Sequence, residues 1–328
     1  MTGEKSSSSN SRVLAANTTR LDRILGRTVY DLWEKLREVG FCIEVYRNPI
    51  SVVIAMSRSV SWPRAEQLRG GGTVLLKSRR DAWMYAHNDR SPCFRLASIE
   101  HGEDGTTRYT FSVPGVQRQV VLAAPDGMGD PGVFLSNDYI DLDVESRVVV
   151  DIGAGAGESA MFFALRGASR VISFEPFPTT YAVATTNLLA NALADRVHLV
   201  RCAVGRTEEV VQLDADATSG CSAARPFEGG IPTTVTTLER IVTDYAVRDG
   251  CLKVDCEGCE YDVILGSKAK VLRRFRQIVL EYHYGGRQLI QHLRCCGFNV
   301  VASRPKHHWG DPNPNFYVGL LRATRSEG

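Results

Sequence analysis

The sequence predicts an α/β protein built on a doubly wound, mostly parallel sheet, preceded by a helix-plus-β accessory region. Three observations lead there. An apolar run, Val148–Ile152, carries an acid at Asp151 and runs straight into Gly153, Gly155 and Gly157. A second apolar run, Arg170–Phe174, ends in Glu175. From Arg147 onward, apolar runs alternate with helical patterns, as expected for parallel strands whose crossover helices cover both faces of the sheet.

Composition sets the outer limits. The 328 residues, 44% hydrophobic and 23% charged, supply a sizeable core without help from disulfides or metals. A net charge of +2 excludes bulk electrostatics as a route to nucleic acid or membrane. The nine cysteines are scattered, several inside apolar runs where a thiol acts as a small hydrophobe. No apolar leader and no stretch of ~20 apolar residues is present, so a reducing cytoplasm is the expected location.

Taken in order, residues 1–18 are Ser/Asn-rich and read as a disordered tail. Residues 19–140 form the accessory region. Leu21, Ile24, Leu25, Val29, Leu32 and Leu36 recur at helical spacing, with Gly40 as the stop. Ile50–Met56 fits either a helix or a strand. Gly70–Gly72 break the chain before a strand at Thr73–Lys77, and β signals follow at Arg108–Ser112 and Gln119–Ala123. The second region, 141–324, opens with the strand Val148–Ile152 and a helix at Glu158–Leu165. Then come a strand to Glu175, a helix at Thr179–Leu193 and a strand at Val197–Ala203. Thr236 and Glu239 have the spacing of a capping box for a helix through Val242. Strands at Leu252–Asp255 and Gln277–His283, a helix at Arg287–Cys295, and strands at Phe298–Ala302 and Phe316–Arg322 complete it.

The chemistry concentrates at strand ends, because ligands of open parallel sheets bind outside the carboxyl ends of the strands. Glycines after Ile152 let the backbone turn sharply and let a ligand approach without Cβ interference. The same pattern also serves a plain strand-to-helix connection. Glu175, at the tip of the second strand, can accept both ribose hydroxyls of an adenosine, or cap the next helix. Small residues at Cys202 and Ala203 leave room for an adenine ring.

The Val148–Gly157 run, Val171–Pro178, and Asn187 with Asn191 resemble the FkbM-type methyltransferase family. Thr236–Glu239, the Lys253, Asp255, Glu257, Gly258, Glu260 block, and Ile278–His283 strengthen the likeness, which covers about Tyr139 to Ala323. The sequence departs at Gly155, where many members carry Asn. The resemblance implies the seven-stranded class I methyltransferase fold, its last strand antiparallel and inserted beside the fifth. It implies S-adenosyl-L-methionine as cofactor, held by Asp151, Gly153, Gly155, Glu175, Pro176, Ala203 and Asp255. In that arrangement Gly153 and Gly155 line the methionine part, Glu175 holds the ribose, and Asp255 faces the methyl group. It also implies a hydroxyl on a sugar, glycan or small molecule as acceptor. A nucleic-acid or protein acceptor, with the accessory region as docking module, is the less favoured alternative.

An alcohol acceptor needs a base to take its proton. His283, Asp255 and Glu257 are the expected catalytic groups, in that order, with Glu260 and Glu281 nearby and Lys253 as an ion-pair partner. No metal is assigned: Cys256 and Cys259 have thiolate-pair spacing but no second pair, and a divalent cation on Asp255 and neighbouring acids, whose hard oxygens suit magnesium, stays an open alternative. A nicotinamide oxidoreductase would need a third glycine where Glu158 stands. A non-catalytic adenosyl-binding protein remains a separate class. Basic clusters at Lys77–Arg80, Arg273–Arg276 and Arg304–Trp309 read as solvated surface, the last in a loop whose Trp309 stands where acceptor pockets form. Membrane partners are not expected, and the sequence carries no signal of oligomeric state.

Overall fold

The computed structural model describes residues 36–57, 62–114, 117–214, 229–303, 305–307 and 317–326. The expected tail, residues 21–35 of the helix expected over 21–36, and Trp309 with its loop lie outside them; Gly40, the expected stop of that helix, lies inside a helical stretch. The chain divides into two compact units, one comprising Met1–Ile99 with Thr110–Gln119, the other Glu100–Tyr109 with Val120–Gly328.

In the first unit, residues 36–45 are helical. The ambiguous Ile50–Met56 run is a helix, Pro49–Ser57 (α1). Arg64–Gln67 (β1) pairs antiparallel with Thr73–Leu76 (β2) around the glycine turn. Arg79–Ala86 (α2) begins at Ser78, whose hydroxyl accepts from the Asp81 amide. Cys42, Tyr46, Val52, Leu76, Ala82 and Ala86 make a small core, and the Tyr46 hydroxyl donates to the Ala82 carbonyl at 2.9 Å. Arg95–His101 (β3), Thr106–Ser112 (β4) and Gln119–Pro125 (β5) form a three-stranded sheet in that order, of which residues 100–101, 106–109 and 120–125 are counted in the second unit.

The second unit continues through Val133–Ser136 (α3), Val148–Ile152 (β6), Glu158–Leu165 (α4), Arg170–Phe174 (β7), Pro178–Ala190 (α5) and Val197–Val200 (β8). Ala203–Gly205 (β9), Glu209–Leu213 (β10) and Ile231–Thr237 (β11) form a separate small sheet. Leu238–Asp244 (α6), Gly250–Val254 (β12), Glu260–Leu265 (α7), Ala269–Leu272 (α8), Phe275–Tyr282 (β13), Arg287–Cys295 (α9), Phe298–Ala302 (β14), Lys306–His307 (β15) and Tyr317–Arg325 (β16) complete it. The main sheet runs β14-β16-β13-β12-β6-β7-β8. β8, β7, β6, β12 and β13 are parallel, and β16 lies antiparallel between β13 and β14. This is the expected doubly wound, seven-stranded α/β fold.

Burial explains why these segments are strands. All five residues of β12 and four of five in β6 are buried, as parallel strands covered on both faces must be. Their apolar side chains join one core with Ile172, Ile278, Leu280 and Leu321. Two boundaries differ from the sequence expectation. The third strand stops at Val200, and Ala203 instead begins β9, paired parallel to β11. The cap of α6 is Thr237, one residue after the expected Thr236, and its hydroxyl accepts from the Arg240 amide. Among the described residues, no helix is long and apolar enough to cross a membrane.

Asn187 and Asn191 have a structural use. From α5, each side chain pairs with the backbone of β5: Asn187 with both polar groups of Ala123, Asn191 with both of Val121. Two amide side chains four residues apart share a helix face and serve β5 as a partner strand would. Asn187 also donates to the Ala156 carbonyl at 2.9 Å, tying the glycine turn to the same helix.

Candidate active site

The turn after β6 is shaped by its contact with the end of β12. The amides of Gly153 and Ala154 both donate to the Phe174 carbonyl at 3.0 Å. Gly153 has φ +81, and a Cβ there would stand 1.8 Å from the Asp255 carbonyl oxygen, so no other residue fits. Gly155 has φ +57, and its nearest obstacle is the buried Glu158 carboxylate, which accepts from the Asp130 amide at 2.9 Å. That left-handed backbone is one Asn also tolerates.

Asp151 lies inside the sheet, fully buried. It accepts from Ser159 at 2.9 and 3.0 Å and from Ser173 at 3.0 Å, and Lys253 Nζ stands 3.3 Å away. Burial pushes its carboxyl up against the pull of Lys253 and the hydroxyls. Glu175 is also buried, accepting from the Gly155 amide at 3.0 Å and the Phe177 amide at 3.1 Å. Desolvation outweighs those two bonds and pushes it up to about 8. Pro176 follows, half-buried.

Lys253 ties the two halves together. Directly opposite Asp151 in the ladder and 2% exposed, it donates to the carbonyls of Ile152 and Gly153 and lies 3.9 Å from Asp255. Burial works against its charge, but Asp151 and Asp255 more than compensate and hold the ammonium protonated. Asp255 also accepts from the Tyr139 hydroxyl at 3.1 Å. Tyr139 was not singled out as a site residue, because a tyrosine in an irregular segment gives no pattern to read.

Beyond Asp255 the chain makes a tight loop closed by a Cys256–Cys259 disulfide. This corrects the expectation that the cysteines are free thiols, and it leaves no thiolate pair for zinc. Glu260, fully buried, accepts from the amides of Cys256 at 2.9 Å and Gly258 at 3.2 Å. His283 then lies between two acids: Nδ1 is 3.2 Å from Glu260 and Nε2 is 3.4 Å from Glu257. Burial alone would lower the imidazole; the Glu260 bond with the charges of Glu260, Glu257 and Asp255 outweighs it and raises it to about 9. Burial pushes Glu257 up to about 7 against the pull of His283, and Glu281 up to about 8, reinforced by Asp255.

The structure thus brings Asp255, Glu257 and His283 together, with Asp151, Gly153, Gly155, Glu175 and Pro176 along the adjoining strand ends. Ala203 sits apart from them in ladder terms, in the small sheet. Access sorts the acid–base groups. The side chains of Asp255 and Glu257 are 26% and 28% exposed, whereas His283 is 4% and Glu260 is 0%. Asp255, Glu260 and His283 also offer one ligand atom each within 4.8 Å of one another. The His283 nitrogens face Glu257 and Glu260 as partners in an ion-pair cluster.

Residues 151–300 match the family described as the methyltransferase FkbM domain. The 31-O-demethyl-FK506 methyltransferase FkbM of Streptomyces tacrolimicus is 29% identical over 213 residues, covering 52% of this chain and 81% of that protein. A precorrin-6y C5,15-methyltransferase from Geobacter metallireducens superposes with a TM-score of 0.32 at 17% identity, over 55% of this chain and 81% of that one. A ribosomal protein L11 methylase from Lactobacillus delbrueckii subsp. bulgaricus does so at 0.35 and 14%, over 58% and 76%.

Proposed function

We propose, from the match of residues 151–300 to the methyltransferase FkbM domain and the likeness to an FkbM methyltransferase, that this chain moves a methyl group from S-adenosylmethionine to a hydroxyl of a sugar, glycan or small-molecule acceptor. The supporting observation is the contact between the Gly153 turn and the Asp255 backbone. It sets the cofactor turn directly against the loop that carries the acids. Residues along the ends of β6, β7 and β12 fit the cofactor: a turn that excludes side chains at Gly153, and a Glu175 carboxyl whose two backbone bonds fix its orientation. When bound, the cofactor supplies an activated methyl on a sulfonium.

The protein's own work is then alignment and proton removal. Glu257 is accessible and has a pKa near neutrality, which suits it to take the acceptor's hydroxyl proton as the oxygen bonds to carbon. His283, protonated below about 9, steadies the Glu257 carboxylate and acts as a base only above that pH. Asp255, steered by Lys253 and Tyr139, orients the acceptor hydroxyl. The test is an acceptor panel of sugars, polyketides and flavonoid alcohols, each offered also with the hydroxyl removed. Mass gain of one methylene on the hydroxyl form alone supports the reading. Methylation of the deoxy forms, or of nitrogen alone across an amine panel, overturns it.

A further inference from the structure

The Cys256–Cys259 bond is not needed for methyl transfer chemistry and has no obvious part in global stability. A disulfide stabilises mainly by restricting the unfolded chain, and the restriction shrinks with the loop it closes. This loop has a sequence separation of only 3. Its effect falls instead on the backbone it spans. Glu257 has φ +57, a left-handed conformation that a glutamate rarely adopts, and Gly258 follows at φ +122. Asp255 lies immediately before the bonded pair and Glu260 immediately after. The amides of Cys256 and Gly258 are aimed at Glu260, and Glu257 is aimed at His283.

The other described cysteines argue against a disulfide framework. Cys42, Cys93, Cys202, Cys251, Cys295 and Cys296 are free thiols, Cys295 exposed. One bond among described cysteines that are otherwise reduced, placed at a reactive loop and half-buried where a small reductant reaches it, has the character of a reversible centre. The Cα–Cα distance of 5.5 Å lies in the ordinary range for a disulfide.

We propose that Cys256 and Cys259 form a reversible dithiol–disulfide centre that holds the acid loop in its working shape, and that reduction by a dithiol releases Glu257 from His283. The link to methyl transfer rests on the function proposed above; the redox behaviour of the loop does not. In the reducing step, one thiolate of the dithiol attacks a cysteine sulfur, giving a mixed disulfide and a cysteine thiolate. The second thiol of the reductant then displaces the other cysteine. Two electrons and two protons pass from the reductant, which leaves as a cyclic disulfide, to the two cysteines. A small-molecule disulfide such as glutathione disulfide reverses the exchange.

The test uses the full chain equilibrated natively with dithiothreitol or with glutathione disulfide. Thiols are alkylated and counted by mass spectrometry, and amide hydrogen exchange is followed over residues 254–265. Two additional alkylated cysteines, at 256 and 259, are expected in the reduced sample. Exchange at Cys256 and Gly258 should accelerate about tenfold as the bonds to Glu260 loosen. A C256S/C259S variant should reproduce the fast exchange in either buffer; where it does not fold, the reduced wild-type chain carries the comparison. A bond that opens only on unfolding, or a reduced loop that exchanges as slowly as the oxidised one, overturns the proposal. Titration of the same samples with S-adenosylmethionine separates the two readings. Absence of binding in both states overturns the donor assignment and leaves the loop result standing.

Discussion

Replacing Lys253 with methionine keeps the length of the side chain and removes its charge at a position 2% exposed. Asp151, fully buried, then keeps only the hydroxyls of Ser159 and Ser173, and the carbonyls of Ile152 and Gly153 lose their shared donor. Removing one partner of a buried ion pair typically costs 3–5 kcal/mol, because the remaining charge is left uncompensated. Asp151 can relieve part of this by taking up a proton, so the lower end, about 3 kcal/mol, is expected. For a unit of this size that corresponds to a fall in melting temperature of roughly 6–12 °C. Urea unfolding followed by far-ultraviolet circular dichroism measures it. Adding Asp151→Asn should recover at least about 1 kcal/mol, since the double variant buries no unpaired charge. A single variant within about 0.5 kcal/mol of wild type, or no recovery in the pair, would refute the assignment of Lys253 as the joint between the Gly153 turn and the acid loop.

Other expectations follow from the same geometry. Gly153→Ala should abolish binding of S-adenosylhomocysteine by calorimetry, since its Cβ would overlap the Asp255 carbonyl and its backbone is left-handed; wild-type affinity would contradict the cradle. Glu257→Gln should lower turnover about 10²–10⁴-fold with cofactor affinity unchanged, as expected for a lost general base; a parallel loss of affinity would argue for a structural role. Stability should fall as pH rises from about 5 to 9. Glu257, Glu175 and Glu281 are raised to about 7, 8 and 8, so the folded state binds more protons than the unfolded one between their ordinary range and those values. His283, raised to about 9, contributes stability fully present below its ordinary 6.5 and lost as pH rises through 9. A melting temperature higher at pH 9 than at pH 6 would contradict both. Asn187→Ala should cost about 2 kcal/mol by stranding the amide and carbonyl of Ala123 together with the Ala156 carbonyl; a change below about 0.5 kcal/mol would show that β5 does not depend on it.

Much of the second unit was legible because parallel strands buried on both faces leave continuous apolar runs, as in Val148–Ile152 and Ile278–Leu280. The helix Arg79–Ala86 was not, since its start is set by a local cap at Ser78 and Asp81 and its composition is mixed. Nor was Arg95–His101, whose alternation of apolar and polar residues is broken at Ala97 and Ser98. The small sheet escaped for a different reason: Ala203–Gly205 is a strand only by virtue of pairing with Val235–Thr237. At the site, the acids were readable one by one, but their convergence on His283 depends on β12 and β13 lying side by side, with Val254 opposite Leu280. Spacing alone could not tell a disulfide from a metal pair at Cys256 and Cys259. Lys253 carried its own signal, a lysine in the middle of a buried strand, which demands a charge partner wherever it occurs.

The most direct test of the account is calorimetric titration of the purified chain with S-adenosylmethionine and S-adenosylhomocysteine, with NAD as control. Micromolar binding of the first two and none of NAD is the predicted result, and Glu175→Ala should weaken both while leaving the protein folded. A folded wild-type protein that binds neither sulfur nucleoside would contradict the reading of the strand ends from Asp151 to Glu175 as the cofactor site.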